Sequence, residues 1–305
     1  MITVGCDVGK TSLAVYLGGK HYKFENRKEG IEKFISQCRN HTISRIVLEP
    51  TGGYERKLLK ELHLRGLPVS VVNPRYVRNF AGSDRDLAKT DKMDAKILSE
   101  YGEVKKLKIY EPKEAYRFDL EELTNRRDNL VCIRKEEKQR LEKEPCQWIS
   151  DDIKDHLEYL ETKIIAIESE ISKLVEENAK EINEVLQSEK GIGPQTAAIL
   201  IGSLPELGRI DNRKIAKLVG IAPMPKDSGM MSGKRSICGG RCRIRAALYM
   251  ASVSSLKGNS KVKDFYKRLR QQGKPPKVAL VAAMRNFIVI LNSKMRLFYQ
   301  GKPYF

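Results

Sequence analysis

Four acidic residues in the first third of the chain have the types and settings that hold divalent metal. Asp7 closes an apolar run that begins at Met1, and Glu49 directly follows another, Arg45-Ile46-Val47-Leu48. Asp91 and Asp94 stand three apart in Lys89-Thr90-Asp91-Lys92-Met93-Asp94-Ala95-Lys96-Ile97-Leu98. That stretch opens a helical pattern, so both carboxylates are expected on one face of its first turn, where the positive end of the helix favours them. Hard oxygen ligands suit Mg2+ or Mn2+. Two such ions bridging a phosphate would activate the attacking oxygen and stabilise the leaving one. Asp7, Glu49, Asp91 and Asp94 are therefore the expected metal set. Singly, each also fits an ordinary role as a cap or surface charge, and it is their joint placement that favours metal.

A second kind of chemistry is written into residues 226–241, Lys-Asp-Ser-Gly-Met-Met-Ser-Gly-Lys-Arg-Ser-Ile-Cys-Gly-Gly-Arg. Glycines let backbone approach a ligand closely, and Lys234, Arg235, Arg241, Arg243 and Arg245 are expected to clamp phosphates. Ser228, beside glycine, is a candidate nucleophile. Its hydroxyl needs a base, a metal or surrounding cations supplied from outside the loop, and Ser228, Ser232 and Ser236 also fit plain turn and cap roles. Upstream, Gly191-Ile192-Gly193-Pro194 reads as a turn between helices. Gly191 and Gly193 would there expose backbone N–H groups and a helix start to a DNA phosphate.

The elements that must carry these groups follow from patterning. Strands are expected at 1–7, 11–17, 21–26, 45–48 and 68–72, helices at 29–39 and 54–64, and a polar connection from 75 to 90 leads into the Asp91 helix. The order β-β-β-α-β-α-β-α, with acids at strand ends and on a late helix, is the ribonuclease H-like α/β arrangement, in which strand ends converge on a ligand crevice. Asp7-Val8-Gly9-Lys10-Thr11 also resembles the first phosphate loop of actin-like ATPases. Those need a second glycine-rich loop and an adenosine pocket, and 84–94 offers neither.

Beyond this, residues 114–144 are highly charged with leucines at helical spacing. Leu157, Leu160, Ile164, Ile167, Ile171 and Leu174 then repeat at intervals of three and four, a heptad seam suited to coiled-coil packing either in an intramolecular hairpin or between copies. Three domains are expected: 1–112, an α/β catalytic domain; 113–186, a helical coiled-coil segment; and 187–305, a mainly α domain.

The chain has 305 residues and is 41% hydrophobic, enough for genuine cores. No apolar run is expected to reach membrane-spanning length, and Met1 is expected to lead into a strand rather than a signal peptide, so a cytoplasmic location without membrane partners is expected. The six cysteines lack paired or zinc-type spacing and read as free thiols. The net charge of +18 lies wholly in residues 206–305, with 22 Lys and Arg against 4 Asp and Glu, while the remainder balances at 35 against 35. Such a segment repels itself unless a polyanion covers it, which points to nucleic acid.

The motifs GCDVGK at Asp7, LEPTGGYE at Glu49, KTDKMDAKIL at Asp91 and Asp94, then GIGPQTAA, GIAPMPKDSG and GKRSICGGRCRIRAALYMA, occur in one order over nearly the whole chain. In these the chain resembles the DEDD transposases of the insertion-sequence 110 family, whose relatives include Piv-type DNA invertases. The resemblance implies a RuvC-like first domain, a coiled-coil insert and a C-terminal transposase domain carrying a serine. It implies metal ligation by Asp7, Glu49, Asp91 and Asp94, and attack by Ser228 on a DNA phosphodiester to give a phosphoserine link that stores the bond energy for rejoining. It also implies a prokaryotic protein, a homodimer assembling to a tetramer on target and donor DNA, and a structured noncoding RNA that guides it. Three other functions remain open on sequence: a junction nuclease using metal-activated water, a protein-read DNA invertase, and a nucleic-acid-binding module without catalysis.

Overall fold

The computed structural model describes residues 1–81, 90–224, 233, 235–258 and 260–303. The chain divides into two compact units, Met1–Pro112 and Lys113–Phe305.

The first unit is built on β1 (Ile2–Val8), flanked by β2 (Ser12–Leu17) and β3 (Lys20–Glu25) on one side and by β4 (Ile43–Leu48) and β5 (Val69–Val71) on the other. The strand order is β3-β2-β1-β4-β5. β1 to β3 form an antiparallel meander, whereas β1, β4 and β5 run parallel. Parallel neighbours need crossovers, supplied by α1 (Lys28–Arg39) and α2 (Arg56–Leu64). Both bury their apolar stripe on the side chains that alternate to one face of the sheet, Val4, Cys6 and Val8 of β1 with Ile46 and Leu48 of β4.

The opposite face receives α4 (Asp91–Val104), and small residues decide how closely. A Cβ on Gly5 would lie 1.8 Å from the Ala95 carbonyl oxygen, and one on Gly102 would lie 2.5 Å from Val47. The Ser99 hydroxyl donates to the Thr3 carbonyl at 2.9 Å. Gly5 thus lets β1 meet the backbone of α4 at Ala95 and Ser99, and Gly102 leaves room for the Val47 and Thr3 side chains.

Residues 75–90, read in sequence as a polar connection, begin instead with a helix, α3 (Pro74–Ala81). The Asn73 side-chain oxygen accepts from Arg75 N–H at 2.9 Å with Pro74 at the first helical position, and Val77 is buried against Val47, Leu98 and Tyr101. The polar composition hid a short helix whose apolar face is only two residues wide.

In the second unit α5 (Ala115–Leu141) and α6 (Gln147–Gln187) pack as an antiparallel hairpin. Leu160 and Ile164 of the heptad seam close on Leu130, and the ion pairs Arg127–Glu168 and Arg134–Glu161 cross between the helices. The seam is thus used within the chain. Leaving the hairpin, Leu120, Ile171 and Val175 join a larger core made with α7 (Pro194–Ser203), α8 (Asn212–Val219), α9 (Cys242–Ser255), α10 (Lys261–Gln271) and α11 (Pro276–Tyr299). A two-stranded ribbon, β6 (Pro223–Met224) with β7 (Ser236–Ile237), brackets the glycine- and serine-rich segment.

The expectation that no apolar run reaches membrane-spanning length needs correction. α11 is long and apolar enough, by length and composition, to cross a membrane. Its Ala283, Phe287, Ile288 and Leu291 are buried in the core of the second unit, so a central core helix accounts for the composition.

Candidate active site

Alternation along β1 places Thr3, Gly5 and Asp7 on the face that α4 covers. Cys6 pairs with Leu48 of the parallel β4, so Glu49 comes one step beyond, on the same face as Asp7. The close seating of Ala95 on Gly5 carries the adjacent Asp94 over the same strand ends. As a result Asp7, Glu49 and Asp94 line one cavity of about 260 Å³, closed on its other side by Val77, Arg78 and Ala81 of α3 and by Ile97 and Leu98 of α4.

Asp91 does not share that cavity. It lines a separate recess over β2 and β3, with Ala14, His21, Tyr22 and Lys23. Three helical steps leave side chains about 60° apart. On the first turn of a helix crossing several strands, that angle sends Asp94 toward β4 and Asp91 toward β2. The common face expected for the two acids is thus divided. Thr90 caps the helix, its hydroxyl accepting from Met93 N–H at 3.3 Å.

The loops bearing the acids are tied down. Glu55 accepts from the backbone N–H groups of Thr51 (3.0 Å) and Gly53 (2.9 Å) and from the Thr51 hydroxyl (3.2 Å), which folds the segment after Glu49 into a tight turn. Gly52 and Gly53 there have φ of 72° and 109°, values that favour glycine. Burial raises the Glu55 carboxyl, but the hydrogen bonds from its own, Thr51 and Gly53 N–H groups and from the Thr51 hydroxyl outweigh it, so its pKa lies below the ordinary value. The Asn26 amide donates to the carbonyls of Gly9 (2.9 Å) and Tyr54 (3.1 Å), linking the turn after β1 to the loop after β4. Behind the cavity the buried Cys6 thiol is pushed far up, first by burial and then by the charge of Asp7.

The donor chemistry fits a hard divalent cation, since three carboxylates open on one cavity. Among the described residues, no three His, Cys, Asp or Glu side chains stand close enough to hold one ion as they lie. Asp7, Glu49 and Asp94 would have to draw together around a metal.

In the second unit, Ser228 and Lys234 lie outside the described residues. Arg235 is exposed beside β7. The other expected clamps are occupied within the chain. Arg241 forms a two-pronged pair with Glu206 (2.7 and 2.6 Å) and donates to the Ser203 carbonyl (2.9 Å). Arg243 donates twice to Asp128 (3.2 and 2.9 Å), and Arg245 donates to the carbonyls of Gly239 (2.6 Å) and Gly220 (3.4 Å). Gly191 is structural too, with φ of 103° and a would-be Cβ 2.4 Å from the Ala251 carbonyl. Gly193 caps α7 with open space around it.

Sequence reasoning missed Arg78, which brings a cation to the acid cavity. It also did not single out Lys277 and Arg285, which share a cavity with Arg235. The signal for Arg78 was available in Asn73-Pro74, a helix start that puts Arg78 one step after Val77 in the last turn of a short helix.

Comparison with known proteins first gives the class, transposase. A family model described as a transposase, of the IS110 DEDD type, matches residues 4–144, and a second, described as Transposase IS116/IS110/IS902 family, matches residues 183–267. The chain belongs to the IS110 family of transposases, proteins of DNA transposition and inversion. It is 26% identical over 317 residues to the pilin gene-inverting protein of Moraxella bovis, spanning 99% of this chain and 97% of that one. The pilin gene-inverting protein of Moraxella lacunata matches to the same extent, 26% over 317 residues. An uncharacterized 44.8 kDa protein of insertion element IS116 from Streptomyces clavuligerus is 28% identical over 116 residues, 37% of this chain and 29% of that one.

Proposed function

We propose that this protein is a metal-dependent DNA recombinase that cuts and rejoins phosphodiesters through a serine ester, excising and inserting its own element. The observation that carries this is the convergence of Asp7, Glu49 and Asp94 on one cavity at the ends of adjacent parallel strands, in a chain of a transposase family. The β3-β2-β1-β4-β5 order, with three parallel strands and a helix carrying Asp94 across them, supports a ribonuclease H-like, RuvC-like reading of the first unit.

Asp7, Glu49 and Asp94 would hold Mg2+ or Mn2+, with Asp91 added by family resemblance. Bound there, the ions supply charge neutralisation at the phosphate and a lower barrier for the attacking oxygen. Asn26 and Glu55 keep the two acid-bearing loops in place. The Ser228 oxygen bonds to phosphorus as the bond from phosphorus to the leaving sugar oxygen breaks, and the proton lost by serine balances the one gained by that oxygen. Reversal of the same step with a new DNA hydroxyl rejoins the strand. A structured noncoding RNA as guide and a tetrameric assembly on two DNAs belong to this proposal through the family resemblance alone.

The deciding experiment is covalent trapping. Purified protein with its element-end DNA and Mg2+ should give a protein–DNA adduct that survives denaturation, and Ser228→Ala should give none. Adduct formation by Ser228→Ala would move the covalent role to another side chain, and cleavage without any adduct in the native protein would replace the serine ester with hydrolysis. Sequencing of co-purifying nucleic acid tests the guide, which requires one discrete RNA encoded beside the gene. The full-length similarity to pilin gene-inverting proteins favours a second reading, inversion of a chromosomal segment at sites read by the protein itself. Under that reading recombination proceeds with nuclease-treated, RNA-free protein.

A further inference from the structure

The excess positive charge of the second unit is not uniform in its freedom. Arg241, Arg243 and Arg245 are spent on Glu206, Asp128 and backbone carbonyls. Arg235, Lys277 and Arg285 are exposed, make no ion pair among the described residues, and line one cavity of about 380 Å³. Its floor is apolar, formed by Ile237 of β7 and by Val278 and Val281 of α11. Lys277, Val281 and Arg285 recur every four residues along α11, so cation, aliphatic and cation follow one another on a single face. Val278, beside them, is 55% exposed although nothing polar requires it there.

An apolar floor rimmed by three cations that make no ion pair among the described residues is complementary to a ligand with a flat apolar body and an attached anion. A nucleotide is such a ligand, its base resting on aliphatic side chains and its phosphate among guanidinium and ammonium groups. A base paired inside a duplex cannot present its face, so the nucleotide must be unpaired. The cavity is walled by Pro223 and Ser236, from the two strands that bracket the segment bearing Ser228. This location favours the DNA strand to be cut over any other source.

We propose that this cavity docks one unpaired deoxynucleotide of the DNA strand presented to Ser228, with Arg235, Lys277 and Arg285 on its phosphates and Ile237, Val278 and Val281 under its base. The assignment of DNA as the source rests on the serine reading above, whereas the nucleotide chemistry rests on the cavity alone. Docking an extruded nucleotide would hold the neighbouring phosphodiester open and in register for attack.

The test is equilibrium binding by full-length Ser228→Ala protein, which reads affinity without any cleavage and so stands apart from the adduct assay. The probes are a fluorescent oligodeoxythymidylate, an abasic strand of equal length, the matching duplex and an oligouridylate. The base-bearing single strand should bind about tenfold more tightly than the abasic one. Adding Val278→Ser should erase that preference by weakening only the base-bearing strand, while Arg285→Ala should weaken both and flatten the salt dependence. Unchanged melting temperatures are expected for both, since each side chain is exposed. Equal affinity for the base-bearing and abasic strands, or a preference that survives Val278→Ser, would overturn the nucleotide site. Tighter binding of the duplex would overturn the unpaired state, and tighter, Val278-sensitive binding of oligouridylate would overturn the assignment to DNA.

Discussion

The acid cavity of the first unit and the arginine-rich start of α9 resemble each other in sequence, each a set of like charges beside glycines. In the structure they differ in what the charges face. Asp7, Glu49 and Asp94 are gathered onto an open cavity by strand register and by helix–strand contact. Arg241 and Arg243 are answered from inside the fold, by Glu206 35 residues away and by Asp128 115 residues away. A charge cluster can act on a ligand only where the fold turns it toward open space. Among the described residues, Arg235, Lys277 and Arg285 meet that criterion together on one cavity.

The largest effect is expected at the acids. Asp7→Asn or Asp94→Asn should lower strand exchange by at least about a hundredfold with the melting temperature preserved. Asp91→Asn sharpens the contrast. If the recess over β2 and β3 is its working place, activity should fall less than for Asp94→Asn, and an equal loss would show that metal draws Asp91 into the cavity.

Next in size is the contact that seats Asp94. Gly5→Val must displace the Ala95 backbone, which a Cβ would meet at 1.8 Å, and should destabilise the first unit by about 3 kcal/mol or more. Urea denaturation followed by circular dichroism measures it. A variant of native stability would mean that α4 is seated by other contacts.

The two cation sets should separate cleanly. Arg241→Ala leaves a half-buried Glu206 unpaired and is expected to cost about 2 kcal/mol, whereas Arg285→Ala should leave stability unchanged and weaken DNA binding. The pair also has a pH signature. Burial pushes the Glu206 carboxyl up, but Arg241 outweighs it by hydrogen bond and charge, so the folded-state pKa lies below the unfolded one. The stabilisation is therefore complete above the unfolded carboxylate pKa and disappears as pH falls through the folded value. Urea midpoints of native protein and Arg241→Ala should converge in acid and diverge toward neutrality.

The smallest test concerns the thiols. All six cysteines are free, with Cys6 and Cys38 buried and Cys132, Cys146, Cys238 and Cys242 exposed. Burial pushes the Cys38 thiol up to about 12, and Cys6 is shifted further in the same direction. Maleimide should therefore label the four exposed thiols of the native protein and reach Cys6 and Cys38 only after unfolding, as mass spectrometry would record.

Much of the first unit was legible because its signals are local. Alternation along β1 and β4 names the faces of Asp7 and Glu49, and the cap at Thr90 marks the start of the helix that carries Asp94. The polar stretch around Arg78 misled because its inward face holds only Val77, which is buried, and Phe80, which is partly so, too short a stripe to register as periodicity. The heptad seam announced a helix pair correctly, but its partner, Leu130 on α5, could not be chosen by spacing alone.

By itself the sequence determined the order of the sheet strands, the two acids at strand ends, the concentration of positive charge in residues 206–305 and the membership in a transposase family. These depend on neighbours within a few residues or on motifs kept in order. Only the tertiary structure decided that Asp94 joins Asp7 while Asp91 turns away, and that three of the arginines are already engaged. It also decided that Lys277 and Arg285 meet Arg235 over an apolar floor. Each of those outcomes depends on which surfaces pack together, and packing couples residues whose separation along the chain carries no signal.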